Sequence, residues 1–281
     1  LGPGYDALGL ALDLRDEVTA SVTTDQRSSI TVSGVGEKEL PLDEDHLVLR
    51  ALRRAFEQLG RTPPAVRLEC RNTIPHARGL GSSSAAIVAG VCLARELVID
   101  GSVLLDDAGV LDLAATMEGH PDNVAPALFG GLTIAYAEDG RFRAARLPVD
   151  PLVRVMLLVP ADPVPTAVAR GLLPEQVPHH DAAANAGRAA LLVAALTGRP
   201  DLLGAATEDR LHQDYREPAM PQTLALVRVL RADGVSAVVS GAGPSVLAFV
   251  DAGTEERVRR SAPSGWQVLT PAISPDGART R

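Results

Sequence analysis

Lysine, cysteine, aromatic residues and long apolar runs are all scarce in this 281-residue chain. Lys38 is its one lysine and lies in the polar, acidic stretch Glu37 to Asp45. A phosphate loop of the G-x-x-x-x-G-K-[ST] type is therefore excluded, because its lysine follows the glycines. Phosphate charge would have to be met by backbone N–H groups, hydroxyls, arginine or a metal. Cys70 and Cys92 are too few for a disulfide framework, and Cys92 sits in an apolar run. They read as buried free thiols in a reducing cytoplasm. A net charge of −8 argues against a nucleic-acid surface, which needs a basic patch, while local basic pockets for small anions stay open. No stretch reaches the roughly 18 apolar residues of a membrane span, and no signal peptide is visible. A soluble cytoplasmic protein with no membrane or nucleic-acid partner is expected. The chain opens at Leu1 inside what reads as a loop, so its natural N-terminus is expected upstream.

What the chain has in quantity is core: 46% of its residues are hydrophobic, which excludes disorder as the main state. The length suggests two domains or one large one, with a division near Pro148 to Pro151 giving 1–148 and 149–281. Neither repeats nor low-complexity tracts interrupt it. Alternation predicts strands at Glu17 to Thr23, Ser29 to Val35, Val66 to Glu69, Leu132 to Tyr136, Val153 to Pro160, Val235 to Ser240 and Val246 to Val250. Helical spacing predicts Leu47 to Leu59, Ala85 to Val98, Asp106 to Met117, Pro121 to Leu128, Ala182 to Thr197, Asp201 to Thr207 and Met220 to Asp233.

The most informative segment is Pro75-His76-Ala77-Arg78-Gly79-Leu80-Gly81-Ser82-Ser83-Ser84-Ala85-Ala86. Glycines and serines open directly into an apolar helix, with a serine available to cap its start. Such an end binds anions, because its first N–H groups are unpaired and the helix dipole adds positive charge. The serine hydroxyls add hydrogen bonds or an Mg²⁺ ligand. An ordinary flexible turn before a helix remains the alternative.

Three further clusters stand out. Leu1-Gly2-Pro3-Gly4-Tyr5-Asp6-Ala7-Leu8-Gly9 is a tight turn carrying an acid. Glu118-Gly119-His120-Pro121-Asp122-Asn123 gathers acids, a histidine and an amide at a helix start, suited to Mg²⁺ and a hydroxyl or simply to capping. Ser240-Gly241-Ala242-Gly243-Pro244-Ser245 is a second glycine turn, which alone would be a hairpin.

Taken together these residues resemble the GHMP family of small-molecule kinases. The family's phosphate motif, near Pro-x-x-x-Gly-Leu-Gly-Ser-Ser-Ala, matches Pro75 to Ala85 with one extra serine, and its C-terminal glycine motif matches Ser240 to Ser245. Within the family the resemblance is to the homoserine kinase branch. It is carried by Leu1 to Asp6, His120-x-Asp122-Asn123-Val124-Ala125-Pro126, Thr166-x-x-x-Arg170-Gly171-Leu172-Leu173-Pro174 and Leu211-His212-Gln213-x-Tyr215-Arg216.

The resemblance implies an α+β fold, with an N-terminal α/β domain containing a left-handed crossover and a C-terminal ferredoxin-like domain. It implies transfer of phosphate from ATP, with Mg²⁺, to the side-chain hydroxyl of L-homoserine, in threonine biosynthesis, and a homodimer. Pro75, His76, Ala77, Arg78, Gly79, Leu80, Gly81, Ser82, Ser83, Ser84 and Ala85 would form the ATP site, with Ser83 and Glu118 on the metal. Arg170 and Arg216 would grip the substrate carboxylate, where guanidinium forks fit bidentately. Asp6 would take the ammonium, Asn123 would orient the hydroxyl, and Thr166 would support the substrate or phosphate. No residue stands out as a general base, and His120 reads as shaping the site. The family pattern also has an asparagine and a strand before Leu1, and many members have a longer loop between glutamate and His-x-Asp-Asn. A sister kinase acting on another alcohol and a non-catalytic nucleotide-binding sensor are the alternatives.

Overall fold

The computed structural model describes residues 1–25 and 27–281. Its first half contains β1 (Leu8–Leu10), β2 (Glu17–Val22), β3 (Ser29–Gly34), α1 (Leu47–Gln58), β4 (Val66–Asn72), α2 (Ser82–Glu96) and α3 (Gly101–Leu104). It continues with α4 (Asp107–Glu118), α5 (Val124–Phe129), β5 (Leu132–Glu138) and β6 (Arg141–Leu147). The second half contains β7 (Arg154–Val159), α6 (Thr166–Gly171), α7 (His179–Thr197), α8 (Leu203–Ala206) and α9 (Pro221–Ala232). It ends with β8 (Ala237–Val239), β9 (Val246–Val250), α10 (Glu255–Arg260) and β10 (Gln267–Leu269).

Period-two burial makes β4 a half-buried strand, with Val66, Leu68 and Cys70 inward and Arg67, Glu69 and Arg71 outward. It lies between antiparallel β2 and parallel β3, and α1 makes the crossover from β3 to β4. The apolar stripe of α1 (Val48, Leu49, Leu52, Ala55, Phe56) faces the core and packs on α2, which in turn packs on α4. A second sheet, β1-β5-β6, completes this half.

The second half is one antiparallel sheet in the order β10-β7-β9-β8, with helices between β7 and β8 and between β9 and β10. This is the ferredoxin-like arrangement the resemblance implied. Its central strands β7 and β9 read as continuous apolar runs because both faces are covered. Met156, Leu158, Val246 and Ala248 enter the core shared with α9, while Val155, Leu157, Leu247 and Phe249 enter another core with Leu1, Leu8 and Leu132. That second core joins the halves. The chain crosses between them from Pro148 to Val153, and its ends cross back. Asn185 of α7 donates to Pro3 O (2.9 Å), while Leu12 bridges Ile273 and Ala278 N donates to Ala127 O (2.8 Å).

Six elements escaped the sequence reading: β1, α3, β6, α6, α10 and β10. Each is short or lacks an apolar period. Arg141–Leu147 carries three arginines and becomes a strand only by pairing with β5.

Candidate active site

The phosphate-loop candidate runs from the end of β4 into α2, and α2 starts at Ser82, earlier than its apolar residues suggest. No serine caps it: Gly81 is the N-cap, in the left-handed region at φ +74°, without a side-chain cap. The first helical bond runs from Ala85 N to Gly81 O (2.9 Å), so the amides of Ser82 to Ser84 have no helical acceptor. The serine side chains turn to another element instead. Ser83 Oγ and Ser84 Oγ both donate to Glu118 Oε1, at 2.5 and 3.1 Å. Packing of α4 against α2 thus brings together residues 34 and 35 positions apart.

The second glycine turn is the floor under the first. Ser240 Oγ donates to Gly79 O (2.8 Å) and Ser245 N to Arg78 O (3.4 Å). A Cβ on Gly79, which has φ +71°, would lie 2.1 Å from Ser240 O and 2.8 Å from Gly243 N. Backbone contact this close admits no side chain. Arg78 does not face the cleft as a phosphate ligand; its guanidinium donates to the carbonyls of Pro160, His76 and Ala161, pinning the loop to the second half. Leu80 packs beside the junction core.

A cleft of about 470 Å³ lies over this loop. Pro75, His76, Ala77, Gly79, Leu80, Gly81, Ser82, Ser83 and Ala85 line it, as do Glu118, His120, Asp122, Asn123, Thr166 and Arg170. The buried Ser84 touches it only through Glu118. Asn123 packs beside Gly81, and its side-chain amide makes no hydrogen bond among the described residues. Thr166 opens α6, which also carries Arg170. Asp6 itself is held at φ +63° beside this wall, bonded bidentately by Arg170.

His120 is buried, with Nδ1 2.8 Å from Asp122 Oδ1 and Nε2 3.8 Å from Glu118 Oε1. Burial alone would lower its pKa, but the hydrogen bond and charge of Asp122 raise it above the ordinary value. Burial would raise the Asp122 pKa, yet the His120 bond holds it below the usual range. The imidazole is thus braced by Asp122 where it lines the cleft. Arg216 is also placed differently from the sequence expectation of a carboxylate clamp. It is 1% exposed, does not line the cleft, and donates to His212 O (3.1 Å) and Gly241 O (2.7 Å) from behind Tyr5.

Among the described residues no group of three or more His, Cys, Asp or Glu is arranged for a metal ion. The oxygens of Ser83, Ser84 and Glu118 nonetheless converge at the loop, a small hard-oxygen set suited to a cation that keeps phosphate and water ligands. Cleft-lining residues given no role from the sequence include Tyr5, whose signal was an aromatic ring inside a glycine turn, and His46, buried at the start of α1 with Nδ1 unpartnered.

Family models for the GHMP kinases N terminal domain and the GHMP kinases C terminal match residues 46–131 and 191–267. The chain is 56% identical to the homoserine kinase of Streptomyces coelicolor over 99% of this chain and 90% of the relative. It is 50% identical to that of Leifsonia xyli, over 99% of this chain and 87% of the relative. A crystal structure of homoserine kinase from Cytophaga hutchinsonii superimposes with a TM-score of 0.83 at 27% identity, covering 98% of this chain and 92% of that one. With both family halves matched in order and relatives aligned along almost its whole length, the chain belongs to the GHMP kinase family.

Proposed function

We propose that the protein transfers the γ-phosphoryl group of ATP to the side-chain hydroxyl of L-homoserine, giving O-phospho-L-homoserine for threonine biosynthesis. One observation carries this reading. A single cleft has an open helix N-terminus with its serines at one place and, at another, Arg170, which is paired with Asp6. The pair offers opposite charges to the two charged ends of an amino acid, and relatives at 50 and 56% identity are homoserine kinases.

Phosphoryl transfer proceeds through a loose transition state, so positioning and charge stabilisation dominate. The amides from Gly79 to Ser84 meet the phosphate oxygens. Ser83 and Glu118 hold Mg²⁺, which when bound neutralises charge on the transferring group. As the zwitterion enters, its carboxylate pairs with Arg170 and its ammonium with Asp6, replacing one ion pair by two. Asn123 orients the hydroxyl toward the phosphate, and Thr166 supports the same wall. Arg216 contributes charge from behind Tyr5, without direct contact. No side chain acts as a strong base; His120, held by Asp122, shapes the pocket. The division into 1–148 and 149–281, a homodimer and a cytoplasmic location belong to the same proposal.

ADP release measured with L-homoserine beside L-serine, L-threonine and mevalonate tests the reading. A preference for L-homoserine is expected; turnover of mevalonate alone would return the chain to a sister kinase. ATP binding without any turnover would leave a sensor.

A further inference from the structure

One residue of the cleft, Tyr5, has no part in this scheme. Tyr5 is 6% exposed in a chain with three tyrosines, yet its hydroxyl is buried and has no hydrogen-bond partner among the described residues. Its ring is engaged by cations. The Arg216 guanidinium carbon lies 4.5 Å from the ring centroid and that of Arg170 lies 5.2 Å away. The His212 ring packs 5.0 Å off, tilted by 40°.

The backbone under this ring is held firmly. Tyr5 follows the 3₁₀ turn Gly2–Gly4, its N–H donates to Gly2 O (3.2 Å), and the turn is tied to α7 through Asn185. Arg216 is buried and no carboxylate pairs with it among the described residues. An uncompensated buried cation is costly, and here two carbonyl oxygens and the electron-rich ring face are what meet it. Arg170 uses both terminal nitrogens on Asp6, while its Nε is buried and unpartnered.

We propose that Tyr5 is a positioning residue for substrate specificity. Its ring binds Arg170 and Arg216 into one cationic group, so that a substrate carboxylate meets Arg170 pre-aimed and backed by a second charge. This rests on the homoserine reading. An aromatic ring is needed because an aliphatic side chain of similar bulk has no negative face, so the two guanidiniums would repel without compensation. The hydroxyl contributes nothing to this role.

The test compares Tyr5→Phe, Tyr5→Leu and Tyr5→Met with wild type, using L-homoserine, its neutral carboxamide and ATP. Tyr5→Leu is expected to raise the KM for L-homoserine by about three- to thirtyfold, the range of a cation–π contact. It should shrink acid-over-amide discrimination by the same factor and leave kcat and ATP affinity within twofold. Tyr5→Met should behave likewise if Tyr5→Leu does not fold, and Tyr5→Phe should match wild type. A readout independent of turnover is the ring-current shift of the Arg170 and Arg216 Nε–H resonances, present in wild type and Tyr5→Phe and absent in Tyr5→Leu and Tyr5→Met. Undiminished acid-over-amide discrimination in both aliphatic variants would overturn the proposal, as would a loss in Tyr5→Phe equal to theirs. Wild type that ignores the substrate carboxylate while the ring-current shifts persist would instead overturn the homoserine reading, and the specificity role with it.

Discussion

Asp6 and Arg170, separated by 164 positions, form a two-pronged ion pair whose arginine lines the cleft: Arg170 Nη2 donates to Oδ1 at 2.5 Å and Nη1 to Oδ2 at 3.2 Å. Each residue arrives from a different half, Asp6 on the turn before β1 and Arg170 on α6. The two groups proposed to hold opposite ends of the substrate are thus bonded to each other, and the desolvation of each is offset by the other.

A double-mutant cycle follows from that pairing. Arg170→Ala and Asp6→Asn should each lower kcat/KM for L-homoserine about tenfold to hundredfold, the size of one lost charged hydrogen bond. The double variant should lose clearly less than the product of the two, because the singles each leave an unpaired charge. Strict multiplicativity, measured beside unchanged ATP affinity, would mean the residues act separately.

Arg216 should behave unlike Arg170. Arg216→Ala strips the partner from two carbonyl oxygens in a buried place, each worth about 1–3 kcal/mol when left unsatisfied. A clear drop in denaturation midpoint is expected, while half-exposed Arg170→Ala should leave it nearly unmoved. Equal midpoints for both variants would remove the structural role.

The two loop glycines should separate by stability. Gly81→Ala meets only ordinary contacts, the nearest atom being 3.7 Å away, and should cost about 1–2 kcal/mol for its left-handed backbone. Gly79→Ala adds a clash with Ser240 O and should lower both melting temperature and ATP affinity further. If Gly79→Ala proves the milder change, the stacked turns are not supporting each other.

Glu118→Gln should shift the magnesium dependence of turnover to higher concentration and lower kcat, since a charge leaves a hard-cation site. Ser83→Ala should shift it in the same direction. A magnesium titration superimposable on wild type would move the metal role to Asp122.

Acid sensitivity should report on His46, whose burial lowers its pKa in the folded protein. Below about 6.5 the unfolded chain then takes up a proton that the folded one refuses, so stability falls as pH falls from 6.5 toward the folded value. His46→Asn should flatten this acid limb between pH 7 and 5. The limb of wild type still contains His212, lowered for the same reason, and the opposite contribution of His120, so the difference between the two proteins is the quantity to read.

Sequence alone determined the elements whose information is local. The amphipathic period of Leu47–Gln58, the alternation of Val66–Asn72 and the glycine–serine entry to α2 all act over a few residues, where backbone sterics and side-chain burial decide. The ordered motifs pointed to the family, and four of their residues, Ser83, Glu118, Asn123 and Arg170, line one cleft. Tertiary structure decided what depends on neighbours far along the chain. It turned the serines from capping α2 to bonding Glu118, made the Ser240 turn a floor for Gly79, and sent the Arg78 guanidinium into carbonyls of the second half. It also put Arg216 behind Tyr5 and Asp6 against Arg170. A charged side chain goes to whichever partner best offsets its desolvation, and that partner is fixed by how two halves of the molecule pack, which no local pattern encodes.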